Sequence, residues 1–307
     1  MKMIKKYPLN QSPLYKLQSK KKLAPLLNVD KSVLRKIEKI ITYHTFSQEK
    51  ADGDERIITA PDEQLKKIQR KVLTLLSRIE SPEWVISGKK GKSYIDNATY
   101  HIESQYVLTM DIAKFYDNCR REYIYKMFMY QFQMPKDIAK IMTDITTLGD
   151  KVPTGAPTSQ VLVFHAYKEM FYNINRIAQE HKCQFSLYVD DMTMSSEDPI
   201  NVAHLTRAVG MELKKYDHKL KGSKIKYYSR RKHKLITGVA ITNKNVLAVK
   251  NSMRKKIIDD FRALKQNPYD RTILLRLKGR LACARRIEPN IFHEVKRYVD
   301  NYKNDAI

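Results

Sequence analysis

Between Ser19 and Ile41 the apolar residues Leu23, Leu26, Leu27, Val33, Leu34, Ile37 and Ile40 fall at the spacing of two short helices, broken near Asn28-Val29-Asp30. Asp52-Gly53-Asp54 then reads as a turn and Arg56-Ile57-Ile58-Thr59 as a short extended run. Pro61 opens a long helix with Leu65, Ile68, Val72, Leu75 and Leu76 on one face. Tyr106-Val107-Leu108-Thr109-Met110 is rich in strand formers and ends at Asp111, after which Glu122 to Phe132 is helical in pattern. The loop Val152-Pro153-Thr154-Gly155-Ala156-Pro157 cannot be regular and leads into a helix from Ser159 to Ala178. Phe185-Ser186-Leu187-Tyr188-Val189 alternates as a strand, halts at Asp190-Asp191 and resumes as Met192-Thr193-Met194-Ser195, predicting a hairpin with two acids at its tip. A helix from Pro199 to Lys215 and a strand from Leu235 to Thr242 follow, and beyond Val249 the chain is helical and basic. There is no internal repeat or low-complexity tract. The mixture predicts an α+β domain with a helical C-terminal appendage.

Composition narrows the class. With 307 residues, 42% of them hydrophobic, the chain can bury one large core or two to three smaller ones. Cys119, Cys183 and Cys283 are scattered and odd in number, which fits neither a disulfide framework nor a paired zinc motif and suits a reducing cytoplasm. Met1 to Asn10 is charged from its second residue and lacks the apolar stretch of a signal or spanning segment, so no membrane insertion is expected. The net charge of +25 repels itself unless a polyanion neutralises it. An anionic membrane would favour one concentrated basic segment, whereas Lys and Arg run the whole length; nucleic acid is the leading partner.

Asp111 at a strand end and Asp190 and Asp191 at a hairpin tip are hard oxygen donors of the kind Mg²⁺ takes, together with substrate phosphates. Two such ions stabilise both the attacking and the leaving oxygen when nucleotides are joined. An aspartate pair alone is ordinary turn chemistry. The order decides here: strand-Asp111, a Pro/Gly loop leading into a helix, then an aromatic-Val-Asp-Asp hairpin, all in a strongly basic chain.

Tyr188-Val189-Asp190-Asp191 resembles the Tyr-x-Asp-Asp hairpin of reverse transcriptases. Further matches are Arg56-x-x-x-x-Pro61 before the Gln69 helix, Asp111-Ile112-Ala113-Lys114-Phe115-Tyr116, Pro153-Thr154-Gly155-Ala156-Pro157-Thr158-Ser159, and Lys224 ahead of Thr237-Gly238. Asn97-Ala98-Thr99-Tyr100-His101 and Ile236-Thr237-Gly238 resemble the Asn-Ala-x-x-His and Val-Thr-Gly signatures of the retron type. The resemblance implies a right-hand polymerase fold: a helical N-terminal extension (1–45), fingers (46–105), a palm (106–249) with inserted fingers helices at about 123–152, and a helical thumb (250–307). It implies two Mg²⁺ ions on Asp111, Asp190 and Asp191, with Asp111 and Asp190 as the shared ligands. Its implied substrates are deoxynucleoside triphosphates and a cognate structured noncoding RNA. That RNA is copied from a guanosine 2′-hydroxyl into RNA-linked multicopy single-stranded DNA, in an anti-phage system with a separate effector protein.

The same resemblance assigns nucleotide binding to Arg56, Ile112, Tyr116, Gly155 and Lys224. Tyr116, five positions after Asp111, matches the steric gate against ribonucleotides, and Arg56 the arginine that grips the triphosphate with a planar fork. A core tyrosine and an exposed strand arginine are the bland alternatives. Lys224 lies in a stretch, Lys221 to Lys234, where seven of fourteen residues are Lys or Arg, so a solvated charged face competes with a role at the leaving pyrophosphate. Asn97 and His101, four apart, share a helix face and either hold structure or bind the RNA. Lys226, Tyr227, Arg230 and Arg231 combine charge with stacking rings, a mixture suited to folded RNA. Arg276, Lys278 and Arg280 match the thumb's grip on the duplex backbone. The chain departs from the family at Thr154, where Gln is usual, at Gln160, where Pro is common, and at Val189, where Ala is usual; altered fidelity or processivity is expected, with the chemistry retained. The competing readings are a non-catalytic RNA-binding scaffold, opposed by the intact acids, and a group II intron or diversity-generating enzyme, opposed by Asn97 and His101.

Overall fold

The computed structural model describes residues 5–49 and 55–302, with Arg56 described by its backbone alone; the turn expected at Asp52-Gly53-Asp54 lies outside the described residues. Helices α1 (Lys20–Leu27) and α2 (Lys31–Arg35) form as the periodicity predicts. The hydroxyl of Ser19 accepts from Lys22 N to start α1, and Asn28 ends it in the left-handed region at φ 56°. Strands β1 (Tyr43–Glu49) and β2 (Glu55–Pro61) then pair antiparallel, and Asp62 leads into α3 (Glu63–Leu76), which buries Leu65, Ile68, Val72 and Leu76.

The centre of the molecule is a four-stranded antiparallel sheet. Helix α4 (Tyr94–Tyr100) begins with a reciprocal cap in which the Asp96 carboxylate accepts from Ser93 N at 2.8 Å and the Ser93 hydroxyl accepts from Ile95 N. Strand β3 (Tyr106–Asp111) follows, then the short α5 (Phe115–Asn118), α6 (Arg121–Lys126), α7 (Lys136–Thr146), α8 (Ser159–Ala166) and α9 (Lys168–Glu180). The hairpin β4 (Gln184–Tyr188) and β5 (Asp191–Ser196) precedes α10 (Val202–Lys214) and β6 (Lys226–Tyr228), giving the sheet order β4-β5-β3-β6.

Strand alternation sends the two faces of this sheet to different neighbours. Leu108, Met110, Phe185, Leu187, Met192 and Met194 enter the main apolar core with the helices, reaching back to Leu14 and Leu23 near the N-terminus. The opposite face meets α4 and a second, three-stranded sheet, β7 (Lys234–Ile236), β8 (Val239–Ile241) and β9 (Leu247–Val249), through a small cluster of Ala98, Val107, Ile236, Val239 and Ile241. The C-terminal helices α11 (Asn251–Gln266), α12 (Arg271–Ile287) and α13 (His293–Asp300) enclose a separate core that includes Ile257, Leu264, Leu277 and Leu281.

Four local expectations are revised. The strand expected from Leu235 to Thr242 is a hairpin, because Thr237 (φ 47°) and Gly238 (φ 86°) make a tight turn inside an apolar run. The helix expected from Ser159 to Ala178 breaks at Tyr167, whose backbone leaves the helical region at φ −105°, ψ 24°. Met127–Gln131, within the expected Glu122 to Phe132 helix, is a π-helical turn, and α10 starts at Val202, after Pro199. Strand β1 was not predicted: its residues are polar and mostly exposed, so no alternation marks it.

Candidate active site

Antiparallel pairing places Asp111, the last residue of β3, directly opposite Asp191, the first of β5. Since side chains in register share a face, the two carboxylates converge at one end of the sheet. Asp190 stands beside them in the β4–β5 turn, its carbonyl accepting from Ile112 N at 3.2 Å. The expectation grouped Asp111 with Asp190; the register makes Asp191 its direct neighbour. All three acids are half-buried.

The turn that carries them is strained. Val189 adopts φ 63°, a left-handed conformation that costs a β-branched residue roughly 1–2 kcal/mol. It is held from outside: Val189 N donates to the Ser87 hydroxyl at 2.8 Å. The same segment lines the edge of β4, with Leu187 N donating to Trp84 O and Ile86 N to Leu187 O. Ser87 escapes sequence reasoning because its work is done through another residue's backbone.

Burial, then the charges of Asp190 and Asp111, push the Asp191 carboxyl up to about 7; a hydrogen bond with Asp111 acts in the same direction and Lys224 opposes them. Lys221 N donates to Asp111 O at 2.8 Å and Lys224 N to Lys221 O, which carries Lys224 round to the acids. A cavity of about 320 Å³ is lined by Asp111, Asp191, Thr193, Lys224, Thr237 and Gly238. Among the described residues no three Asp, Glu, His or Cys side chains are gathered as a finished ligand cluster. The donor set nonetheless fits a hard divalent cation: two facing carboxylates, crowded enough to share a proton, with room beside them for substrate oxygens.

The other predicted residues divide into three groups. Arg56 lies on β2 opposite Gln48. Tyr116 is half-buried on α5, its ring tilted against Phe115. Gly155 also has a packing reason to be glycine: a Cβ there would stand 2.7 Å from Thr59 O, while Gly155 N donates to that same oxygen at 2.9 Å. Thr154 joins this contact by accepting from Thr59 N at 3.3 Å, so the departure from the family residue ties the loop to β2.

Three expectations are corrected by burial. Ile112 has its side chain in the main core and its N–H engaged by Asp190, so its side chain cannot reach a nucleotide. Asn97 and His101 have no exposed surface and cannot touch RNA directly. Asn97 bonds Thr237 at 2.6 Å and Ser186 at 2.7 Å; His101 bonds Ser186 and Ser195, each at 2.7 Å. Desolvation holds the His101 imidazole down to about 3, so it is neutral.

Lys226, Tyr227, Arg230 and Arg231 are exposed, and Tyr227 stacks on Tyr106 with ring planes 11° apart. Lys278 is exposed on α12. Arg276 and Arg280 both engage the buried Asp260 of α11, Arg276 at 2.9 Å, so internal packing accounts for part of what they do.

A family model described as reverse transcriptase (RNA-dependent DNA polymerase) matches residues 48–253, which contain every element of the acid site. The chain belongs to the reverse transcriptase family. This reverse transcriptase is 26% identical over 204 residues to the retron Se72 reverse transcriptase of Salmonella heidelberg (strain 579083-10), covering 65% of this chain and 53% of that one. It is 24% identical over 286 residues to the retron Ec83 reverse transcriptase of Escherichia coli, covering 87% and 90%. Against the retron Ec86 reverse transcriptase of Escherichia coli it is 27% identical over 158 residues, covering 50% and 49%. These matches make it a retron-type reverse transcriptase, spanning about half the length of the Se72 and Ec86 relatives and nine-tenths of Ec83. No helix among the described residues is long and apolar enough to cross a membrane.

Proposed function

We propose that the chain is the RNA-directed DNA polymerase of a retron, copying part of a structured noncoding RNA into multicopy single-stranded DNA from a guanosine 2′-hydroxyl. The observation that carries this reading is the facing pair Asp111 and Asp191, with Asp190 in the adjoining turn, inside a reverse transcriptase domain. Asp111, Asp190 and Asp191 would hold two Mg²⁺ ions, which when bound supply Lewis-acid stabilisation of the attacking and leaving oxygens. Lys224, which lines the cavity with Asp191, would neutralise charge on the departing pyrophosphate. Tyr116 on α5 serves as the gate against a ribose 2′-hydroxyl, and Arg56 on β2 grips the triphosphate.

In this reading the four-stranded sheet is the palm, β1–β2 belongs to the fingers and α11–α13 form the thumb. Exposed Lys226, Tyr227, Arg230, Arg231 and Lys278 contact the cognate RNA, with Arg276 and Arg280 turning their outer faces to it. The protein works in the cytoplasm with a separate effector in anti-phage defence. The test is expression with the neighbouring noncoding DNA: short RNA-linked single-stranded DNA is expected from the wild type and none from Asp190→Asn. Active enzyme that makes no such product overturns the retron reading.

A further inference from the structure

Strand alternation gives β4 and β5 an apolar face and, on the other side, Ser186, Thr193 and Ser195, all essentially buried. Apolar residues would be the ordinary choice for buried positions, since hydroxyl groups there must be hydrogen-bonded. Each of the two serines is, and the bonds form one chain. Ser104 Oγ donates to Ser195 Oγ at 2.8 Å, Ser186 Oγ donates to Asn97 Oδ1, and Asn97 Nδ2 donates to Thr237 Oγ1. His101 sits in the middle, its two ring nitrogens against Ser195 and Ser186.

The direction of every proton follows. Ser186 spends its hydrogen on Asn97, so it accepts from His101, which therefore carries its proton on Nε2. Nδ1 is then an acceptor and takes the hydrogen of Ser195, whose oxygen is left to accept from Ser104. A chain with one consistent donor order holds one geometry, and the ends of this one differ in kind. Ser186 and Ser195 belong to the two strands that carry the acid turn, whereas Thr237 belongs to the β7–β8 turn, which lines the same cavity as Asp111 and Asp191.

That second turn is strained in the same way as the first. Thr237 is β-branched and sits at φ 47°, and a Cβ on the following Gly238 would meet no protein atom within 4 Å, so open space faces it. Strained backbone persists where the surroundings over-determine it. Val189 is held by Ser87, and Thr237 by Asn97.

We infer that Asn97 and His101 are positioning residues for the acid site: through Ser186, Ser195 and Thr237 they fix the Thr237-Gly238 turn against the hairpin bearing Asp190 and Asp191. The inference rests on the polymerase reading and adds two supporting residues to it. The turn lines one cavity with Asp111, Asp191 and Lys224, so disturbing this chain misplaces the reacting groups against one another.

The experiment is steady-state extension of a DNA primer annealed to an RNA template, with KM measured separately for primer–template and for deoxynucleotide, and with a thermal melt of each variant. His101→Leu and Asn97→Leu are expected to lower kcat about 10- to 100-fold, the scale of a small misplacement at a reacting centre, with KM for primer–template and for deoxynucleotide each changed less than about threefold. His101→Gln restores most of the activity, because a carboxamide offers one N–H and one oxygen in the same order as Nε2–H and Nδ1. Thr237→Val, at a half-buried turn, reproduces the Asn97→Leu pattern, and the double variant is no worse than Asn97→Leu alone. The inference is overturned if activity falls only in proportion to folded protein, if either KM carries the loss, if His101→Gln melts like wild type yet fails like His101→Leu, or if the Asn97 and Thr237 effects multiply. Wild-type protein that extends no primer defeats the polymerase reading itself; wild-type extension that the variants leave unchanged defeats this inference alone.

Discussion

The two faces of strands β3, β4 and β5 in the four-stranded sheet answer to opposite demands. One face packs Leu108, Met110, Phe185, Leu187, Met192 and Met194 into the main core, where each buried side chain stabilises the fold by about 1.5–3 kcal/mol. The other gathers Asp111, Asp191, Thr193, Ser186 and Ser195, groups whose burial stabilises little and in the case of Asp191 opposes folding. Alternation of side chains, one residue up and one down, lets a single hairpin serve both.

The sharpest way to break this comparison is to remove an acid. Asp111→Asn is expected to lower primer extension on the order of 10⁴-fold, the loss of a group around which the reaction is organised. Its melting temperature stays level or rises, because the substitution removes a charge that pushes the Asp191 carboxyl up. A large fall in melting temperature would show that the acids also hold the fold.

On the apolar face the effect inverts. Phe185→Ala, on strand β4, is expected to destabilise by about 3–5 kcal/mol in denaturant unfolding, while whatever protein stays folded keeps its activity per molecule. A smaller change of about 2 kcal/mol should come from acid alone. The buried imidazole of His101 is held down to about 3 against an ordinary value near 6.5, so the unfolded chain binds the extra proton. Its contribution is complete above pH 6.5 and is lost progressively as pH falls toward 3; unfolding at pH 7 and pH 5 should differ by about 2 kcal/mol more in wild type than in His101→Gln. Smallest, and away from both faces, Gly155→Ala should cost roughly 1–2 kcal/mol by forcing the loop off β2, read as a lower denaturant midpoint.

The hairpin Phe185 to Ser195 was legible in the sequence because its alternation is strict and its acids interrupt it at one point. Asp111 was legible for the related reason that a run of strand formers ends on it. What the sequence hid shares a physical cause. Thr237-Gly238 passes for strand interior because Leu235, Ile236, Val239, Ala240 and Ile241 keep the run apolar on both sides of a two-residue turn. Asn97 and His101 are polar letters on a helix, and only the fold reveals that the helix face bearing them is covered by a sheet. The roles of Ser186 and Ser195 were within reach: polar residues at alternating positions between core methionines and aromatics signal a second buried face.

The C-terminal helices carry their own apolar core, and their junction with the rest is narrow. Glu288, just past α12, accepts from Val249 N and pairs with Arg254, and Ile287 adds apolar contact at the same place. With separate apolar cores joined at one small contact, the described residues are expected to unfold as two cooperative units and to depart from a single all-or-none transition. Glu288→Ala then acts as an uncoupler, lowering the transition of the C-terminal helices while leaving that of the acid-bearing sheet in place.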